Sequence, residues 1–179
     1  MNTEKTRVWD LPTRLFHWSL ASSFVIAFLT SESERWRDIH VQAGYAMAIL
    51  IGFRLIWGFV GSTHSRFADF IPTPAKLKAY LGSLMAGRPE HYVGHNPAGA
   101  VAIFALLGLG LASAASGWLV YQDMGGHFME ELHEVAANGM MLVVGIHLLG
   151  VFVSSWLHHE NLVRAMITGW KAKRESTAG

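Results

Sequence analysis

The sequence has no cysteine. That excludes disulfides, thiolate-held iron–sulfur clusters and the C-x-x-C-H attachment of a c-type haem. Any haem would be held by coordination and packing alone. Charge is also scarce: 15% of residues are Asp, Glu, Lys or Arg, against about 25% in an ordinary soluble domain. The net charge of +1 supplies no basic field for nucleic acid, so no nucleic-acid partner is expected. What is abundant is apolar surface, at 51% of residues, together with ten histidines and seven tryptophans. The charged, polar start of the chain, with His17 and Trp18 inside the first apolar run, does not read as a cleaved signal peptide.

A membrane span needs about 20 mostly apolar residues. Four stretches meet this or come close. Leu15 to Ser31 has no residue charged at neutral pH, Ile39 to Thr63 is broken only by Arg54, and Pro97 to Gln122 and Val135 to Trp156 have none. The first run is the shortest and extends back through Arg14, whose long side chain can snorkel. The predicted fold is an all-α, multi-pass four-helix bundle in the membrane. It forms a single domain over 1–179, with helices at about residues 12–31, 38–60, 97–122 and 132–157. Pro74 to Met85 and Asn161 to Lys173 read as short helices lying in the interface. Gly125-Gly126 reads as a flexible outer loop.

Orientation follows from Lys and Arg. Lys5, Arg7 and Arg14 precede the first span. Arg66, Lys76, Lys78 and Arg88 lie in the long middle loop, and Arg164, Lys171, Lys173 and Arg174 in the tail. The opposite side has only Arg35 and Arg37. Eleven against two puts both termini and the middle loop on the cytoplasmic side of the membrane.

Orientation then sorts the histidines by depth. His17 falls near the inner end of the first helix, and His40 and His133 near the outer surface. His147 lies fourteen residues beyond His133, about 21 Å deeper along the helix axis. Fourteen steps of about 100° return to within about 40° of the starting direction, so these two share a face. His40 can meet His133 in an outer layer, and His17 can meet His147 in an inner one. Pairs drawn from different helices are what bis-imidazole haem ligation in a bundle needs. Small residues one turn away, among them Gly44 after His40, leave room for a porphyrin. Layers about 21 Å apart, with two imidazoles each and no carboxylate, do not suit a dinuclear metal site.

Each histidine has a plainer reading beside this one. His17, His40 and His133 alone read as interfacial residues at helix ends. Only His147 stands inside an uncharged run, where an ionisable group is costly and usually functional. His64, His91, His95, His127, His158 and His159 read as loop or helix-end residues. His95, just before Asn96-Pro97, also has the option of meeting a haem propionate or a quinone. Arg54 has the best claim to pair with a propionate, because guanidinium binds carboxylate bidentately. Arg14 is a second inner candidate, although contact with lipid headgroups suits the arginines outside the spans.

The sequence resembles the bacterial cytochrome b-561 family, which includes the b-type cytochrome subunit of nickel–iron hydrogenases. The matching stretches are Val8-Trp9-Asp10-Leu11-Pro12-Thr13-Arg14 running into Phe16-His17-Trp18, and His40 with Gly44-Tyr45. They continue with Arg54-Leu55-Ile56-Trp57-Gly58-Phe59-Val60-Gly61, Arg66-Phe67, Gly94-His95-Asn96-Pro97-Ala98-Gly99, and His133 through His147. The resemblance implies a four-helix bundle with two b-type haems, ligated by His17 with His147 and by His40 with His133. It implies electron transfer between the quinone pool and a periplasmic partner, either a hydrogenase or a c-type cytochrome. It also implies an alternative, because the family contains a quinone-linked superoxide oxidase; Arg35 and Arg37 at the outer mouth could attract the anion. A haem-free transporter is disfavoured by the lack of intramembrane carboxylates. The quinone site stays open between the middle loop with His95 and the outer surface near Arg35 and His133.

Overall fold

The structure is a computed structural model and describes residues 5–88 and 90–172. Lys173 and Arg174 of the tail lie outside the described residues.

Among the described residues seven α-helices follow one another, four of them long. The first, α1 (Leu11–Thr30), starts where the Asp10 side chain accepts the Thr13 backbone N–H at 2.8 Å. A carboxylate at that position satisfies a free amide and opposes the positive end of the helix dipole. After a 3-10 turn at Glu34–Trp36, α2 (Arg37–Val60) runs back. Two short helices, α3 (Phe67–Phe70) and α4 (Pro74–Met85), fill the middle loop. The next long helix, α5 (Pro97–Tyr121), is capped by Asn96, which accepts from the Gly99 N–H at 2.7 Å. The last long one, α6 (Gly126–Leu157), is followed by α7 (Leu162–Thr168).

The long helices pack α1 on α2, α2 on α5 and α5 on α6. Three of the described segments are long and apolar enough to cross a membrane: Glu34–Val60, Pro97–Tyr121 and Gly126–Leu157. At 20 residues α1 also has the reach, about 30 Å, but Arg14, His17 and the serines at 19, 22 and 23 dilute it. Large apolar side chains face outward along these helices, with Leu29 and Ile49 73% exposed and Phe59 and Trp156 75% exposed. Water would not tolerate so continuous an apolar surface, whereas lipid does.

Two features depart from the sequence reading. Of the glycine pair only Gly125, with φ 85°, stays in the α5–α6 connection, and Gly126 already opens α6. The helix therefore begins at Gly126 rather than near residue 132 and carries His127, Glu130 and Glu131 in its first turns. The tail forms a helix only through Thr168. Gly169, with φ 87°, ends it, and its carbonyl accepts the N–H of Val8 at 2.8 Å. A Cβ there would lie 2.6 Å from the Trp9 carbonyl oxygen. Beyond it β2 (Trp170–Ala172) pairs antiparallel with β1 (Lys5–Arg7), Thr6 opposite Lys171. Each of these strands is too short to show a period-2 pattern.

The β1–β2 pair, α3, α4 and α7 thus gather at one end of the long helices, called here the terminal end. The α1–α2 and α5–α6 turns form the far end.

Candidate functional site

At the far end, His40 and His133 face each other. Their ring centroids are 6.1 Å apart and their planes are at 86°. Each ring is oriented by a neighbouring helix. His40 Nδ1 lies 2.8 Å from the carbonyl oxygen of Ala27, on α1, and His133 Nδ1 lies 2.8 Å from that of Ser113, on α5. A carbonyl can only accept, so both rings donate from Nδ1, which leaves Nε2 as the lone-pair nitrogen. Each of these carbonyls also accepts a hydroxyl of its own helix at 3.2 Å, Ala27 from Thr30 Oγ1 and Ser113 from Ser116 Oγ. Gly117 makes the approach possible: a Cβ there would stand 2.8 Å from Cε1 of His133. At Gly44, one turn beyond His40, a Cβ would meet nothing within 4 Å.

His17 and His147 lie toward the terminal end, on α1 and α6. His133 and His147 belong to one unbroken helix, so the depth difference of about 21 Å is carried by a continuous rise. His147 is within electrostatic reach of His17. Neither ring is bonded to a carbonyl among the described residues, and His17 Nδ1 is buried with no hydrogen-bond partner.

Arg54 lies next to this layer and is 3% exposed. Its guanidinium carbon is 4.7 Å from the Phe67 ring centroid and 6.0 Å from that of Phe70. Nη1 is buried and unpartnered. On Phe70 also rests His95, at 4.4 Å between centroids, with Trp9 on it at 4.5 Å. Part of His95 reaches the surface, yet its Nδ1 is shielded from solvent and unpartnered. Burial, followed by the positive charges of Arg54 and Lys171, pushes its pKa down to about 3. His95 is thus a neutral imidazole at physiological pH. Arg14 donates from Nη1 to the Ile167 carbonyl at 2.5 Å, and its Nε is buried without a partner. Four buried, unpartnered nitrogens, on Arg14, His17, Arg54 and His95, therefore sit in the terminal half.

Sequence reasoning missed what holds this end together. Asp10 accepts from Trp57 Nε1 and Ser65 Oγ, both at 3.1 Å, and Ser65 Oγ is 2.7 Å from Thr13 Oγ1. Burial opposes the carboxylate's charge. The hydrogen bonds from Ser62, Thr13 and Ser65 outweigh that and hold its pKa well below the ordinary range. The N-terminal arm is thereby tied to the end of α2, close to Arg54. Asp10 and Trp57 do stand in two of the motif stretches, but nothing in either stretch announces that they meet. Gly117 and Ser113 carry no sequence signal either, since both lie in an uncharged run of small residues.

Of the remaining histidines, His64 pairs with Asp69, His91 with Glu160, and His127 with Glu130 and Glu131. Arg35 and Arg37 are exposed at the far end. Among the described residues no cluster of three or more His, Asp or Glu side chains is placed to hold a bare metal ion.

A family model described as prokaryotic cytochrome b561 matches residues 8–169. The chain is similar to a probable Ni/Fe-hydrogenase B-type cytochrome subunit of Azotobacter vinelandii, 24% identical over 92% of this chain and 87% of that one. It is similar to the corresponding protein of Bradyrhizobium diazoefficiens, at 22% identity over 94% and 86%. The probable Ni/Fe-hydrogenase 1 B-type cytochrome subunit of Escherichia coli K12 is 20% identical over 93% and 91%. No solved structure matches. These relatives are described as hydrogenase subunits, and none of them supports the superoxide oxidase reading. With 162 of its positions spanned by the family model, the chain belongs to the prokaryotic cytochrome b561 family, haem-b electron-transport proteins of the membrane.

Proposed function

We propose that the protein is a dihaem cytochrome b that carries electrons across the bacterial inner membrane, between a hydrogenase-type partner on the periplasmic side and the quinone pool. In this reading α1, α2, α5 and α6 form a four-helix membrane bundle within one domain, with both termini cytoplasmic. His40 and His133 hold the outer haem, and His17 and His147 the inner one.

The observation that carries the proposal is the facing pair of His40 and His133. Each keeps its Nε2 lone pair because Nδ1 is engaged with a carbonyl. This is the tautomer a metal-bound histidine adopts, and such a second-shell bond also fixes the ring's direction. With their centroids 6.1 Å apart, the two rings are the residues that would hold one haem between α2 and α6. Free space at Gly44 suits a porphyrin edge. At the inner layer the unpartnered Nη1 of Arg54 and Nδ1 of His95 suit a propionate carboxylate, with Arg14 beside them at the membrane surface. When bound, haem supplies reversible one-electron chemistry. The protein's part is to hold two such groups apart along one helix, out of water, with the imidazoles aimed.

The partner is argued from the relatives, all of which are described as hydrogenase subunits. The function is tested by adding hydrogen to the protein co-purified with its hydrogenase. Haem absorption should shift to the reduced form and return to the oxidised form on adding a short-chain quinone. A haem-loaded complex whose spectrum ignores both additions would sink the proposal.

A further inference from the structure

Two side chains of α1 clip it to the last turn of α7. Arg14 donates from Nη1 to the Ile167 carbonyl at 2.5 Å, and Trp18 donates from Nε1 to the Met166 carbonyl at 3.4 Å. Carbonyls in the last turn of a helix lack a partner within it, so these two are open to α1. Gly169 closes the same junction, since a Cβ there would stand 3.4 Å from Arg14 Nε. Between the two helices a groove remains. Its volume is about 430 Å³, and Leu11, Arg14, Leu15, Trp18, Ser19 and Ile167 line it. Pockets for bound small molecules run from about 300 to 1,000 Å³.

The groove joins two chemistries. Leu15 and Ile167, 60% and 57% exposed, make an apolar wall with Leu11 and Trp18. Arg14 is the one ionisable group in the lining. Among the described residues no carboxylate lies within ion-pair reach of it. Asp10, one turn earlier, is already engaged by Trp57 and Ser65. A guanidinium has five donors, and among the described residues only the Ile167 carbonyl meets this one. Lys5, Arg7 and Arg164 stand exposed on β1 and α7, which join at the same place through Gly169 and β2. The surroundings are therefore positive.

Depth decides what such a groove meets. The uncharged run of α1 starts at Leu15. Arg14 and Trp18 thus stand where acyl chains give way to headgroups, the level at which tryptophan and snorkelling arginine sit. A ligand there has to lay an apolar tail on Leu11, Leu15 and Ile167 and set a negative group on Arg14. A phospholipid of net negative charge has both. A zwitterionic one adds an ammonium group, which the surrounding cations repel.

We propose that this groove binds one anionic phospholipid, which lies across the α1–α7 junction with its phosphate on Arg14 and an acyl chain along Leu15 and Ile167. The site goes beyond the electron-transfer reading and does not depend on it.

Native mass spectrometry of the full-length protein, purified in detergent and titrated with phosphatidylglycerol or phosphatidylethanolamine, tests this. Wild type should hold one phosphatidylglycerol per chain and prefer it to phosphatidylethanolamine. Arg14→Gln should weaken that binding about 5-fold, the scale of one cation near an anionic lipid surface. Because Arg14 also ties α7 in place, Ser19→Phe gives a second variant. It fills the groove from an exposed position, leaves Arg14 intact, and should weaken phosphatidylglycerol binding as well. The double variant Lys76→Gln with Lys78→Gln, on α4 at the same end but outside the groove, should bind as wild type does. Equal binding of the two lipids, full binding by Ser19→Phe, an equal loss in the α4 double variant, or a neutral quinone held in place of the lipid would overturn the proposal. Haem content, measured in parallel, reports on the electron-transfer reading separately from all of these results.

Discussion

Nδ1 of His133 on α6 lies 2.8 Å from the Ser113 carbonyl on α5, so one backbone oxygen fixes which nitrogen of that ring is free to bind. The approach is close enough that the intervening residue has to be glycine. Gly117→Ala would place a methyl group 2.8 Å from Cε1 of His133, and either the ring or the helix would have to move. Overpacking of this kind costs about 1–3 kcal/mol. The variant should lose haem from the outer layer and retain the inner haem, as read by haem content and by low-temperature absorption spectra. Full retention of both haems would show that the contact is not required.

His147→Ala should lower the haem-to-protein ratio from about two to about one, with the remaining haem spectrally unchanged. His133→Ala should give the same ratio and leave the other haem. The distance between layers along α6, about 21 Å, makes the two losses separable. Loss of both haems from either variant would mean that the layers are not independent.

Arg54→Ala removes the buried cation over Phe67 and Phe70. If Arg54 holds a propionate, haem retention at the inner layer should fall by roughly 10- to 100-fold, the usual scale for outer-shell partners. Arg54→Lys should restore part of it, since lysine keeps the charge but loses the bidentate fork. Haem release timed in the presence of a competing apo-globin measures this. Equal retention in all three proteins would leave Arg54 with a packing role only.

The meeting of His40 with His133 was legible in the sequence because depth and helical phase can both be read from spacing. The interval from His133 to His147 gave a shared face, and the Lys and Arg count gave each helix a direction. The reach of α4 matches the stretch from Pro74 to Met85 that reads as a short helix in the sequence. What stayed hidden depends on contacts between distant segments. Asp10 meets Ser65 and Trp57 across about 50 positions, and Ser113 reaches His133 through its backbone, which has no sequence signature. The strand pair was hidden for the same reason: three-residue strands at opposite ends of the chain carry no local pattern.

His95 gives a pH dependence with a defined sign. Its folded-state pKa is about 3, whereas the unfolded chain protonates near 6.5. Between those values the unfolded state binds the extra proton, so stability is full above about pH 6.5 and declines as pH falls toward 3. His95→Phe should flatten part of that decline while keeping the stack on Trp9 and Phe70. Thermal unfolding in detergent at pH 7.5 and pH 5 should show a smaller difference for the variant than for wild type. An equal difference would place the acid sensitivity elsewhere.

The most direct measurement is the haem-to-protein ratio of the purified wild-type chain, by pyridine haemochrome against amino-acid analysis. Two b-type haems per chain are expected, one for each histidine layer. A folded protein with one haem or none would contradict the two-layer arrangement of His40 with His133 and His17 with His147.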